Sequence, residues 1–154
     1  MGSNSKSVLQ LKGFDDLIEE IQRAGGSVDN AVVKAMRESE NVVEQQLQSE
    51  CARVGVPSTV SDEIKVEAPK MTHGVCTGAV GWKLGAYDPK NPSAGYKAVF
   101  LNYGTIRRKT KTGADRGEIK ARGFITNAKK KSKKQVAAIQ KKTFDDILKG
   151  LKIK

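Results

Sequence analysis

His73 is the only histidine of this 154-residue chain, the side chain most often used in acid–base catalysis. Neither a serine nucleophile motif nor a carboxylate at a telling spacing stands near it, so a surface histidine in a turn is expected. The acidic pairs Asp15/Asp16, Glu19/Glu20 and Asp145/Asp146 are adjacent in sequence. Neighbours on a helix point about 100° apart and these pairs fall on faces expected to be solvated, so they are read as surface charges rather than catalytic pairs. Cys51 and Cys76 lie 25 positions apart and, with one histidine, make no zinc-ligand pattern. Free, partly buried thiols are expected instead. Gly78, Gly81 and Gly85 match neither a Walker loop nor a dinucleotide fingerprint, and are read as relief of crowding in a twisted strand. Trp82, alternating with Val80 and Leu84, reads as core rather than as a stacking platform for a base. No catalytic, cofactor-binding or metal-binding residue is expected.

The side chains that remain are basic, and they are unevenly placed. Residues 1–104 carry 11 Lys+Arg against 13 Asp+Glu, a net of −2. Residues 105–134 carry 12 Lys+Arg against Asp115 and Glu118 alone, a net of +10. Such a segment is a local electrostatic footprint for phosphates or an acidic protein surface, while the body is not a polyanion binder. The bland alternative for Lys129-Lys130-Lys131-Ser132-Lys133-Lys134 is a solvated helix face.

The elements that must position this segment follow from periodicity. Phe14, Leu17, Ile18 and Ile21 recur at helical spacing opposite Asp15, Asp16, Glu19 and Glu20, predicting a short amphipathic helix that ends at Gly25-Gly26. Ser27 or Asp29 can cap a helix of about 25 residues with a stripe through Val32, Met36, Val43 and Leu47, stopped by Gly55 and Pro57. Alternation through Ile64, Val66 and Ala68, then Val80, Trp82 and Leu84, predicts two antiparallel strands with a turn near Pro69 to Gly74. Asp88 to Ser93 is loop chemistry, and Ala98 to Asn102 is either a third strand or a short helix. Residues 106–122 show no hydrophobic period and are expected to be a flexible loop. Gly123-Phe124-Ile125 returns to the body, and Thr126 or Asn127 can cap a last helix whose apolar face is Val136, Ile139, Phe144, Ile147, Leu148 and Leu151. The expected fold class is α+β, a small antiparallel sheet packed by a long N-terminal helix and a C-terminal helix, in a single domain over 1–154. Its parts are 14–104, the basic loop 105–122, and the anchor and helix of 123–150. The apolar runs fall far short of the roughly 20 residues a bilayer span needs, and the start shows no apolar stretch of a secretory signal.

The order of features, with Val80-Gly81-Trp82, Tyr96-Lys97-Ala98, Tyr103-Gly104-Thr105, a variable loop and Gly123-Phe124-Ile125-Thr126-Asn127-Ala128, resembles the tail-completion, or head–tail joining, proteins of long-tailed bacteriophages. The resemblance covers most of 14–150, and the family is the gene-product-ten-like one of lambdoid phages. Asn102 stands where that family commonly has an acid, and Gly123 where it has proline. The resemblance implies a structural protein of the virion neck or tail, assembled in the host cytoplasm. Its implied partners are a connector adaptor, the tail tube or a terminator, and other copies of itself in a ring. The residues expected to carry these contacts are Tyr103, Gly104, Thr105, Arg107, Arg108, Lys109, Lys111, Arg116, Lys120, Arg122 and Phe124. The competing reading is a basic nucleic-acid-binding protein that holds phosphates through 105–134.

Overall fold

A computed structural model describes residues 9–11 and 29–152. They form β1 (Leu9–Leu11), α1 (Asp29–Arg53), the short α2 (Ser58–Ser61), β2 (Lys65–Thr72), β3 (Val75–Gly81), α3 (Ala94–Tyr103) and α4 (Phe124–Lys152). The helix expected on Phe14 to Ile21 lies outside the described residues. The predicted stripe of α1 is buried throughout, with Val32, Met36, Val43 and Leu47 at most 1% exposed. The helix stops where glycine and proline indicated: Gly55 takes φ 66°, and the Val56 amide turns back to the Cys51 carbonyl at 2.9 Å.

The sheet is antiparallel in the order β1-β3-β2, which makes β3 central. The β2–β3 turn is His73-Gly74, both with positive φ, so the hairpin runs further than the predicted turn region. Pro69 sits within β2, and the register shifts between Glu67 and Lys70 because proline has no N–H for the ladder. The alternation expected on this strand is corrected: Ile64 is buried, but Val66 is 38% exposed and Ala68 is exposed, as befits an edge strand. On the central strand Cys76 and Val80 are buried, and Trp82 follows them into the core, its indole N–H donating to the Val60 carbonyl at 2.6 Å.

The segment left open between strand and helix is the helix α3. Ser93 precedes it, its hydroxyl donating to the Leu84 carbonyl at 2.8 Å, and Gly95 lets the helix approach the Lys83 carbonyl so closely that a Cβ would lie 2.7 Å from it. The start of α4 also departs from expectation. Thr126 and Asn127 lie inside the helix, which begins at Phe124 after Gly123 at φ 63°.

Two apolar clusters hold the layers together. One joins the C-terminal half of α1 to α2, Val80, Trp82, Ala98 and the first turn of α4, where Trp82 and Phe124 meet edge to face at 6.1 Å. The other joins Val32, Ala35, Met36 and Cys76 to Ile139, Phe144 and Ile147. Helices α1 and α4 are therefore antiparallel. Between them Glu50, 1% exposed, accepts from Arg53 at 2.7 Å and from Lys131 at 2.5 Å, tying one helix to the other. No helix among the described residues is long and apolar enough to cross a membrane.

Candidate assembly interface

Helix α3 ends at Tyr103, whose side chain is 65% exposed, and the next residue can only be glycine. Gly104 has φ 77°, and a Cβ there would come 2.7 Å from the Ile119 carbonyl and 2.9 Å from the Ala121 nitrogen. Thr105 closes the contact in both directions: its amide donates to the Ile119 carbonyl at 2.9 Å and its Oγ1 accepts the Ile119 N–H at 3.0 Å. The returning chain is then fastened to the end of α3 by Arg122 N–H to the Leu101 carbonyl (3.0 Å) and Gly123 N–H to the Asn102 carbonyl (3.1 Å). Asn102 itself is buried, and its Oδ1 accepts the Ile125 N–H at 2.8 Å. It thus satisfies one of the free amides at the start of α4, a duty an aspartate can also perform.

Beyond this neck the basic segment forms a two-stranded arm. The Arg108 amide donates to Gly117, the Arg116 amide to Arg108 and the Thr110 amide to Ala114, at 2.8–3.1 Å, with a bridge between Lys109 and Asp115. Gly113 turns the tip at φ 86°. Arg107 pairs with Asp115 across the arm at 2.5 Å, and Asp115 Oδ1 also accepts the Gly117 N–H at 2.8 Å. These two partners, Arg107 first, hold the Asp115 carboxyl below its ordinary value. The expectation of a flexible loop did not anticipate this cross-bonding, because a short hairpin pinned by backbone bonds and one ion pair leaves no hydrophobic period to read.

No family model, curated protein or solved structure matches this chain.

The site residues expected from sequence divide into four groups. Gly104 and Thr105 build the neck. Arg122 donates to the Val54 and Gly55 carbonyls at 3.2 and 2.8 Å, placing its charge on the C-terminal end of α1, where the helix dipole favours a cation. Phe124 is 0% exposed and packed on Trp82, so its expected place at an interface is corrected to the core. Tyr103 and the arm residues Arg107, Arg108, Lys109, Lys111, Arg116 and Lys120 are exposed. Among the described residues only Arg107 of those cations has an ion-pair partner. Ile106, not singled out by sequence, stands beside them 83% exposed.

A second feature had no counterpart in the sequence reading. A groove of about 450 Å³ runs between Pro57 and the start of α2, the 87–92 loop, α3 and the inner side of the arm. Tyr87, 50% exposed, packs edge-on against Tyr96 at 4.9 Å and Phe100 at 6.4 Å to form one wall. Tyr96 and Phe100 are spaced i, i+4, the signal that could have found it, once that stretch is known to be helical.

The buried ionisable groups are sealed away from this surface. Glu40, at a stripe position of α1, is 0% exposed and faces Gly78 of β3, where a Cβ would collide with its carboxylate. Among the described residues neither oxygen makes a hydrogen bond of good geometry. Burial pushes its pKa up to about 7, against the smaller opposing influence of Arg37 and the nearby Ala79 amide. Burial likewise pushes the Cys51 thiol up to about 11 and raises that of Cys76. Both cysteines are free, buried and protonated, so they are unreactive packing groups.

Proposed function

We propose that this chain is a structural subunit of a phage or prophage virion that completes the tail end and joins it to the head connector as one member of a ring. The observation that supports this reading most directly is the arm: a cation-rich hairpin whose neck is locked to the body and whose base exposes Tyr103 and Ile106. Rings need heterologous contacts, one patch for each neighbour, and a pinned projection beside exposed apolar side chains is a suitable half of such a contact. The subunit is read as non-enzymatic. Among the described acids, the one whose pKa is raised, Glu40, is sealed from solvent and so from any substrate.

The test is to replace residues 107–117 with Gly-Gly, which keeps the Thr105–Ile119 closure. The variant is expected to fold as the parent does by circular dichroism, yet to leave heads and tails unjoined in complementation. Normal joining by the armless protein would remove the arm from the mechanism.

A second reading is favoured by Arg108, Lys109, Lys111, Arg116 and Lys120, which lack ion-pair partners among the described residues. They are free to neutralise phosphates. In that case duplex affinity falls with salt at a log–log slope of about −0.9 for each phosphate contacted. A salt-independent affinity would exclude it.

A further inference from the structure

We infer that the groove beside the arm receives residues 14–21 of a second copy of this chain. The inference deepens the assembly reading and rests on it for the identity of the occupant. The groove has an apolar floor and wall, to which Tyr87, Phe100, Pro92 and Ile119 contribute, and two cations at its margin, Lys97 on α3 and Arg108 on the arm. No carboxylate lines it, and neither cation has an ion-pair partner among the described residues. Its complement is therefore an acidic segment with large apolar side chains.

The sequence contains such a segment. Phe14, Leu17, Ile18 and Ile21 alternate with Asp15, Asp16, Glu19 and Glu20 in a run that holds no basic residue. No other stretch of the chain combines four acids with four large apolar residues so closely. One copy thus carries both halves of a heterologous contact, an acidic apolar segment and a cationic apolar groove, as a closed ring requires. The long cation-rich arm beside the groove adds Lys109 and Lys111 to the attraction for an approaching acidic segment.

The experiment uses a fluorescent synthetic peptide of residues 12–23 and the full chain. The peptide is expected to bind, and the double substitution Lys97→Glu/Arg108→Glu to weaken it by about tenfold or more, with circular dichroism unchanged because Arg108 is exposed and Lys97, half-buried, lies outside both core clusters. A peptide carrying Asp15→Lys and Asp16→Lys should bind the doubly substituted chain better than it binds the parent. That swap cannot come from loss of folding. In light scattering, the double substitution should reduce self-association of the full chain. Failure of the peptide to bind, or equal binding by parent and variant, overturns the inference. Peptide binding by a full chain that stays monomeric at all concentrations also overturns it, since the segment would then sit in its own groove. Self-association that ignores the groove substitutions overturns the inference while leaving the assembly role standing, whereas unimpaired joining by the armless variant removes the arm, Arg108 included, from that role.

Discussion

Glu40 and Gly78 meet across the α1–β3 interface at a point where any other pair of side chains would have to be rebuilt. An unpartnered carboxyl at 0% exposure is tolerated because it takes up a proton. Its folded pKa, about 7, lies above the ordinary 4.5, so the native state binds more protons between those values. Stability from this site is full below pH 4.5 and is lost as pH rises towards 7, by on the order of 2–3 kcal/mol. Glu40→Gln should abolish that loss: denaturant midpoints of parent and variant should agree near pH 5 and separate above pH 8, the variant being the more stable. Parallel pH profiles would refute the assignment. Gly78→Ala should be strongly destabilising in the parent and much milder beside Glu40→Ala, as a double-mutant cycle would show.

At the level of elements, the ends of α3 and α4 are one joint. Asn102 links them through the Ile125 amide, and its Nδ2 is buried with no partner among the described residues. Asn102→Ala removes the acceptor and should cost roughly 1–2 kcal/mol in chemical denaturation. Asn102→Asp keeps the acceptor, deletes the unmet donor and puts a negative charge at a helix N-terminus, so it should lose far less than the alanine variant. A similar loss in both would mean that packing, not capping, matters there. Thr105→Val keeps shape but discards the oxygen that receives the Ile119 N–H at 3.0 Å. The expected result is faster hydrogen exchange at Ile119 with little change in the melting of the body, because the arm lies outside both core clusters. Exchange unchanged at that amide would show the neck to be held by Gly104 alone.

For the whole molecule, Glu50 and Glu40 impose opposite pH dependences. The hydrogen bonds from Arg53 and then Lys131 hold the Glu50 carboxyl below its ordinary value, so its contribution is present above that value and lost as pH falls. Acid also removes the remaining negative charge from a chain of net +11 and increases self-repulsion. Stability should therefore peak at about pH 5 and decline on both sides, measured as the melting temperature across buffers of equal ionic strength. A flat profile between pH 5 and 8 would mean that Glu40 finds a partner in solution.

Periodicity sufficed for α1, its stripe and its stop and for the α+β class, because burial on one face of a regular element leaves a repeat in the residue types, whereas the hairpin's edge strand β2 shows no such alternation and β3 ends at Gly81, before Trp82 and Leu84. The charge count likewise located the arm, since Coulomb attraction to a partner depends on composition before it depends on shape. What periodicity could not supply were relations between residues far apart in the chain. Asn102 capping α4, Ile119 closing on Gly104 and Thr105, Arg122 capping α1, and the groove between Tyr87 and Arg108 are all contacts across many residues. The helix at Ala94–Tyr103 is ambiguous in sequence for a related reason: a short apolar run fits either period until packing on Lys83 and Leu84 selects one. Phe124, read from sequence as both anchor and interface, is anchor only, because the edge of Trp82 already occupies the space that a partner would need.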